Sequence, residues 1–535
     1  MATATELLRQ GKKKEVWQKY CGFIDLSLDE VMKIQEKLLM EQMKLLAKCE
    51  LGKKILGDKV PQSVEEFRKN VPLTTYDDYA PYLSKKREDV LPEKPYVWCH
   101  TTGKTGQHKW IPYTKRMYKV LAKIFLVGLI LATSKKKGDF LLKEGDSILY
   151  GVAPPPYLSG VFYRALAEEL NITFIPPLEE AEKMDFMERM EKAFKMSLIK
   201  GMDIFAGTTS VLVNIGQRFS GEGEKSGMSV SSFLHPRAMV RIIKALIKSK
   251  IAKRGILPRD IWKVKGIPTA GADAKIYGKL VEHYWGVQPL ELYGSTEAGM
   301  VATQLWDYGG MVFFPYLNFI EFIPKEDSIK SREDPDYKPK TLLLNEVKPQ
   351  QIYELVITNF RGGVFVRYKT DDLIKIVSLK NEKLGVDTPQ MVFHSRASDV
   401  IDLAGFARLT ERAVWQAIEN SGIKYNDWAL RKEIEDKHPV LRLYLELRGE
   451  ERKEKEIVEA IHESLKKVDS DYNDIEKMLQ FKPLRLTVLS PGTFQRYVLK
   501  QQKEGVDLGQ LKPRRMNPPD DNIGDLLELS NKNSV

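Results

Sequence analysis

The chain has 535 residues, 43% of them hydrophobic and 29% charged, which excludes a low-complexity or membrane-embedded chain and allows about three folded units, or one large and one small. Lysine and arginine outnumber aspartate and glutamate 84 to 73, and the net charge of +11 favours anionic partners such as nucleotides, nucleic acid or membrane surfaces. Cys21, Cys49 and Cys99 show no metal-like spacing, and the seven histidines include no H-x-x-x-H pair, so neither a disulfide framework nor a zinc site is expected and a reducing compartment suits the chain.

The N-terminus has no apolar run behind its basic residues, so a secretion signal is not expected. Residues 29–57 carry Leu, Ile and Met at helical spacing and predict a helix. "VPLTTYDDYAPYL" (71–83) is rich in turn residues. A short apolar run, "KPYVWCH" (94–100), leads into "TTGKTGQHK" (101–109), and a helix is predicted from Lys115. The longest apolar run, 124–132, is too short to cross a bilayer and reads as part of that helix, buried. A cytoplasmic enzyme or binding protein, with no stable membrane insertion, is therefore expected.

"DSILYGVAPPPYLSG" reads as a buried strand that breaks into a Pro loop, and four segments then repeat one theme: "ITFIPPL" (172–178), "GMDIFAGTT" (201–209), "IWKVKGIPTAG" (261–271) and "QPLELYGSTE" (288–297). Each is a short apolar strand that ends in small or polar residues, with helical patterns between. Such alternation predicts an α/β sheet, much of it parallel, with ligands at the C-terminal strand edge. After residue 300 the pattern becomes that of a β-meander. Near residue 396 it changes again, to a β-β-α-β module that reads as a small α+β domain. The domains are set at 1–395 and 396–516, and 517–535 reads as a flexible tail.

Residues 101–109 contain Gly-Lys-Thr, but a Walker loop needs a glycine at position 98, where Trp stands, so that motif is excluded. The loop still suits a phosphate. Gly103 and Gly106 let backbone N–H groups face an anion, and Thr101, Thr102, Thr105, Lys104 and Lys109 supply donors. A plain surface turn is the competing reading. In "LYGSTEAG" (292–299) the Tyr293 ring can stack on a base, Ser295 and Thr296 can bind phosphate, and Glu297 is an oxygen ligand of the kind Mg²⁺ accepts. An ordinary strand-to-helix turn competes there. "VRYKTDDL" (366–373) places Asp371 and Asp372 after a strand, where a carboxylate can accept from ribose hydroxyls or simply form a turn.

The ordered series T-T-G-x-T-G-x-x-K, Y-G-S-T-E, Y-K-T-x-D and "SRASDVIDLAG" resembles the acyl-adenylate-forming superfamily. Within it the chain most resembles the GH3 acyl-acid amido synthetases and the related phenylacetate-CoA ligases, on "VPLTTYDDYAPYL" and "GQLKPRR" as well, over about residues 35–516. The resemblance implies a large N-terminal adenylation domain of α/β fold with mixed and parallel sheets, and a small mobile C-terminal domain. It implies ATP and Mg²⁺, a small carboxylic acid as substrate, and an amine such as an amino acid as acceptor, with a CoA thiol as the alternative. By resemblance, Thr101 to Lys109 hold the β- and γ-phosphates. Tyr293 lies on adenine near the backbone of Ala270 to Ala272, Gly271 included, beside Gly294 and Ser295. Thr296 touches the α-phosphate, Glu297 the Mg²⁺ and Asp372 the ribose. Arg396 sits at a hinge that runs to Gly405, and Lys512 swings in for adenylation. The acid pocket would be lined from 152–157, 205–209 and Gly271. Lys104, His108 and Asp371 depart from the family pattern, Asp371 by replacing a usual glycine. A fold that binds nucleotide without turnover is therefore a competing reading. A nucleic-acid or anionic-membrane protein would carry Lys/Arg clusters interleaved with aromatics, and none is seen.

Overall fold

The computed structural model describes the chain except residues 1, 58, 102–108, 208, 221–234, 271–273, 335, 404–406, 436–437, 450–451, 470–471, 474–481, 505–513 and 532–535. It divides into two compact units, Met1–His394 and Ser395–Val535.

The helix predicted over 29–57 is two helices. Ser27 caps α1 (Leu28–Leu46) in a reciprocal capping box with Glu30. The chain then breaks, and Cys49 starts a second helix, Glu50–Leu56. Its Gly52 abuts the Leu46 carbonyl so closely that an added Cβ would lie 2.0 Å from that oxygen. Two helices also precede α1, Ala4–Arg9 and Lys13–Cys21, where no element was expected.

The first candidate loop is the tip of a hairpin, β1 (Val97–His100) with β2 (Trp110–Tyr113). Thr114 caps the helix that follows, α2 (Lys115–Ala132), and nearly all of its second half is buried. Among the described residues no helix is long and apolar enough to cross a membrane. Next come β3 (Ser147–Tyr150), α3 (Leu158–Glu169), β4 (Thr173–Ile175), α4 (Phe186–Lys200), β5 (Ile204–Ala206), α5 (Thr209–Ser220), α6 (Pro236–Ile251), β6 (Pro268–Ala270) and α7 (Ala274–Trp285).

The parallel sheet foreseen from this alternation is divided. β3 pairs in parallel with β4 and β5, in a three-stranded sheet of order β4-β3-β5. β6 pairs in parallel with β7 (Leu290–Ser295) at the edge of an eight-stranded sheet. That larger sheet continues through β8 (Gly299–Gln304), β9 (Met311–Phe313), β10 (Asn318–Pro324), β11 (Ile352–Asn359), β12 (Tyr368–Ser378) and β13 (Gln390–Arg396). Its order is β10-β11-β12-β13-β9-β8-β7-β6. The pairings β7–β8, β8–β9, β9–β13, β10–β11 and β11–β12 are antiparallel, as the meander pattern predicts.

The second unit contains the predicted module. α8 (Glu411–Asn420) precedes β14 (Tyr425–Glu435) and β15 (His438–Leu447), which pair antiparallel; α9 (Glu454–Val468) then leads to β16 (Leu484–Leu489), which pairs in parallel with β15. Two helices follow, α10 (Thr493–Lys503) and α11 (Asp520–Asn531). The tail expected to be flexible is thus a helix over 520–531: Pro519 and two aspartates open it, and Ile523 and Leu526, three apart, are buried beside Phe494 and Tyr497 of α10. Glu446 of β15 is buried and accepts the Gly492 and Phe494 N–H groups at 2.8 and 2.9 Å, which holds the start of α10. Replacing Glu446 with Gln should lower the stability of this unit by about 1 kcal/mol, because one charged acceptor of a buried N–H becomes an amide. Thermal denaturation measures the shift.

Candidate active site

β7 and β8 make a hairpin whose three-residue tip is Thr296, Glu297 and Ala298, between the paired residues Ser295 and Gly299. Gly299 has φ +66°, the left-handed conformation that closes such a turn. An added Cβ at Gly294 would lie 2.2 Å from the Gly299 carbonyl oxygen, so only glycine fits there. The segment therefore joins two strands, not a strand to a helix.

The tip is held from three sides. Tyr113 donates its hydroxyl to the Thr296 carbonyl at 2.6 Å. Asn359 donates to the Glu297 carbonyl at 3.1 Å, and Asn318 to the Ala298 carbonyl at 2.7 Å. The Ala298 N–H reaches the Ser295 hydroxyl at 3.1 Å. Three backbone carbonyls of one turn are thus occupied, which leaves the Glu297 side chain as the directed group. Its carboxylate lies 3.4 Å from the Tyr368 hydroxyl and 4.0 Å from the Lys109 ammonium. Both are long contacts. Glu297 and burial together push the Tyr368 phenol well above its ordinary range, burial being the larger cause.

Lys109 stands at the exit of the hairpin loop, where its carbonyl accepts the Thr101 N–H at 3.1 Å. Its ammonium lies 4.9 Å from the Tyr76 ring centre. The Tyr76 hydroxyl accepts the Trp110 N–H at 2.9 Å, and burial pushes this phenol up to about 12, with a smaller upward push from Glu297. Tyr76 belongs to the turn-rich segment 71–83. Two residues earlier, Thr74 pairs in parallel with Tyr368: its N–H donates to the Arg367 carbonyl, and its carbonyl accepts the Lys369 N–H, each at 2.9 Å. The segment thus ties the base of the loop to the start of β12.

On β12 the two aspartates part. Lys369 pairs with Val356 and Leu373 with Glu354, so Thr370, Asp371 and Asp372 bulge opposite Leu355 alone. Bulges re-aim side chains beside functional sites. Asp371 takes φ +67° and sends its carboxylate to Arg332 at 3.1 Å. Asp372 is buried and accepts the Tyr293 hydroxyl at 2.7 Å. The departure at 371 acquires a reason: the position requires a left-handed residue, where glycine costs least and aspartate is among the better substitutes.

Tyr293, Thr296, Glu297, Lys109 and Asp372 are thus linked by the β7–β8 hairpin, the β1–β2 hairpin and β12. Thr101 is at the loop's root. Thr102, Gly103, Lys104, Thr105, Gly106 and His108 lie outside the described residues, as do Gly271, Ala272 and Lys512. Arg396 ends β13 in the second unit. There the motif "GQLKPRR" is anchored by its last two residues. Arg514 lies 3.4 Å from Asp399, and Arg515 lies 2.9 Å from Asp427 with its guanidinium 4.1 Å from the Trp415 ring centre. Sequence reasoning gave no role to Asn359, Asn318, Tyr76, Tyr113 or these arginines. Tyr368 lies inside the Y-K-T-x-D motif, and that membership was the available signal.

The fold is one that adenylate-forming ligases share. The chain matches the acyl acid amido synthetase AtGH3.15 in complex with 2,4-DB with a TM-score of 0.69 over 96% of both chains, at 17% identity. It matches 2-hydroxyisobutyryl-CoA ligase in the postadenylation state with a TM-score of 0.54 over 98% of this chain and 93% of the other, at 13% identity. The GH3 N-terminal, central and C-terminal domain models match residues 21–152, 311–396 and 409–519, and the chain belongs to the GH3 family. It is 22% identical to the jasmonoyl-L-amino acid synthetase JAR4 of Nicotiana attenuata, over 84% of this chain and 85% of that one. It is 23% identical to the 4-substituted benzoates-glutamate ligase GH3.12 of Arabidopsis thaliana, over 91% and 92%. As a GH3 protein it is an ATP-dependent ligase of the adenylate-forming class.

Proposed function

We propose that the chain activates a small carboxylic acid as an acyl-AMP and transfers the acyl group to an amine, such as an amino acid. The observation that carries this reading is the convergence of Lys109, Glu297, Tyr293 and Asp372 on three structural pieces bearing the three nucleotide motifs. Tyr293 faces adenine, beside Gly294, Ser295 and the backbone of Gly271 and Ala272. Asp372 accepts from the ribose hydroxyls, with Arg396 near the ribose or phosphate. Thr296 holds the α-phosphate. The loop of Thr101, Thr102, Gly103, Thr105 and Gly106, with Lys109, holds the β- and γ-phosphates.

Magnesium fits this site. Glu297 offers a hard oxygen, and among the described residues no group of three or more His, Cys, Asp or Glu could hold a metal alone. Mg²⁺ characteristically takes one or two carboxylates and keeps phosphate oxygens and waters as its other ligands. Bound there, it would neutralise phosphate charge.

Hydroxide is a poor leaving group, so a carboxylate needs activation. One carboxylate oxygen attacks the α-phosphorus and pyrophosphate departs. The amine then attacks the acyl carbon, AMP departs, and the amine loses a proton. Lys109 and Lys512 offset the charge that grows on the phosphates, and fixed positioning supplies the rest. Closure of the small domain over a hinge at 396–405 would exclude water from the acyl-AMP. The three cysteines are free and buried, which suits a reducing location such as the cytoplasm.

The test is acid-dependent exchange of labelled pyrophosphate into ATP across an acid panel, followed by addition of amines or CoA with the best acid. Exchange without any acid requirement would refute the reading, and thioester in place of amide would transfer the second step to CoA. Asp372→Ala should raise the KM for ATP on the order of 10-fold, since a buried acceptor is lost. Asp371→Gly should leave that KM unchanged and keep or slightly raise the melting temperature. Equal KM effects at the two positions would remove Asp372 from the ribose.

A further inference from the structure

The helix α6 is built for a surface that the reaction does not use. Ala238, Ala245 and Ser249 are buried on one side. On the opposite side Met239, Val240, Ile243, Leu246 and Ile247 are between 44% and 52% exposed, and Ile251 is 78% exposed. At 100° per residue these six fall within one arc of about 140°, which the exposed Lys250 also enters in the last turn, where a lysine stem can lie along an apolar surface with its ammonium at the headgroups. Arg237, Lys244 and Lys248 are exposed on one flank of that arc, with the half-buried Arg241 between them. From 235 to 256 the sequence has seven lysines and arginines and no aspartate or glutamate. The nearest acid beyond, Asp260, is engaged by Arg254 at 2.7 Å.

Water gains nothing from six exposed aliphatic side chains in one arc. A protein partner of ordinary composition would bring acidic groups to some of the cations, but it would need a defined recess, and α6 presents a convex ridge. A lipid surface meets both features at once: acyl chains take the apolar arc, and anionic headgroups meet the basic flank. We propose that α6 is an interfacial helix that docks the protein, lying flat, on a bilayer containing anionic lipid. A search for cations interleaved with aromatic residues misses it, because its apolar residues are aliphatic and continuous only on the helix surface.

The full-length protein is sedimented with phosphatidylcholine vesicles containing about one third phosphatidylglycerol, and with phosphatidylcholine vesicles alone. Wild type should bind the anionic vesicles, less so as salt rises. Ile243→Ser with Ile247→Ser should weaken partitioning on the order of 10-fold or more, and Arg237→Glu with Lys244→Glu by a similar factor. Both doubles should keep the wild-type melting temperature and pyrophosphate exchange, because the changed side chains are exposed. Ile251→Ser, at the most exposed position, provides a single change that cannot disturb the core. No binding by wild type, or undiminished binding by all three variants, would overturn the proposal. So would a concentration-dependent dimer by analytical ultracentrifugation that the isoleucine double abolishes while vesicle binding stays unchanged, since a second copy would then be what covers the ridge.

Discussion

Glu297→Gln should slow acid-dependent pyrophosphate exchange on the order of 100-fold, about 2.7 kcal/mol of transition-state stabilisation. Glutamine has the same length and keeps the backbone of the turn, whose carbonyls are held by Tyr113, Asn359 and Asn318 rather than by the Glu297 side chain. What changes is a negative charge at the tip. Among the described residues that charge has two long contacts, Tyr368 at 3.4 Å and Lys109 at 4.0 Å, so it is poorly spent on structure. The melting temperature should therefore hardly move. An unchanged exchange rate in a normally folded variant would take Glu297 out of the Mg²⁺ role. Lost exchange together with a lower melting temperature would make it a structural residue.

Lys512→Ala should divide the two half-reactions. ATP binding should be nearly normal, because the three motifs proposed to hold most of the nucleotide belong to the first unit. Formation of acyl-AMP should fall by about 100-fold or more, the usual cost of removing one group that stabilises developing charge. Transfer from chemically supplied acyl-AMP to an amine should stay close to normal. Unchanged adenylation would reduce Lys512 to a solvated residue. Equal loss in both steps would mean that the substitution damaged the small unit instead.

Much of the large unit could be read from local pattern. Each short apolar run that ended in small residues is a strand, and the β-β-α-β order of the small unit follows from alternation and charge. Sheet membership could not be read. β3 and β6 carry the same local signal, yet they lie in different sheets, because pairing depends on residues far along the chain. The same distinction runs through the site. Tyr293, Glu297 and Asp372, the residues proposed to serve the nucleotide, were visible because their chemistry sits in compact motifs. Asn359 and Asn318 act on backbone carbonyls of the turn from twenty or more residues away in sequence, and leave no motif. The choice between Asp371 and Asp372 is written in a bulge and a positive φ, and no propensity scale carries either. The terminal helix was misread because its prolines and aspartates signal a turn as strongly as a helix start.

Arg514 and Arg515 have one more consequence. Only Pro513 separates Lys512 from an arginine bound to Asp399, with the next one packed on Trp415. Two residues of chain reach roughly 7 Å at full extension. In the adenylation role proposed for it, Lys512 is thus two residues along the chain from a side chain held within the small unit. Its effective concentration at the phosphates would be set by how often the whole unit visits, through the linker at 396–405, and not by the tail. Lengthening that linker should dilute the lysine, whereas trimming the chain beyond Asn531 should leave its local concentration as it was.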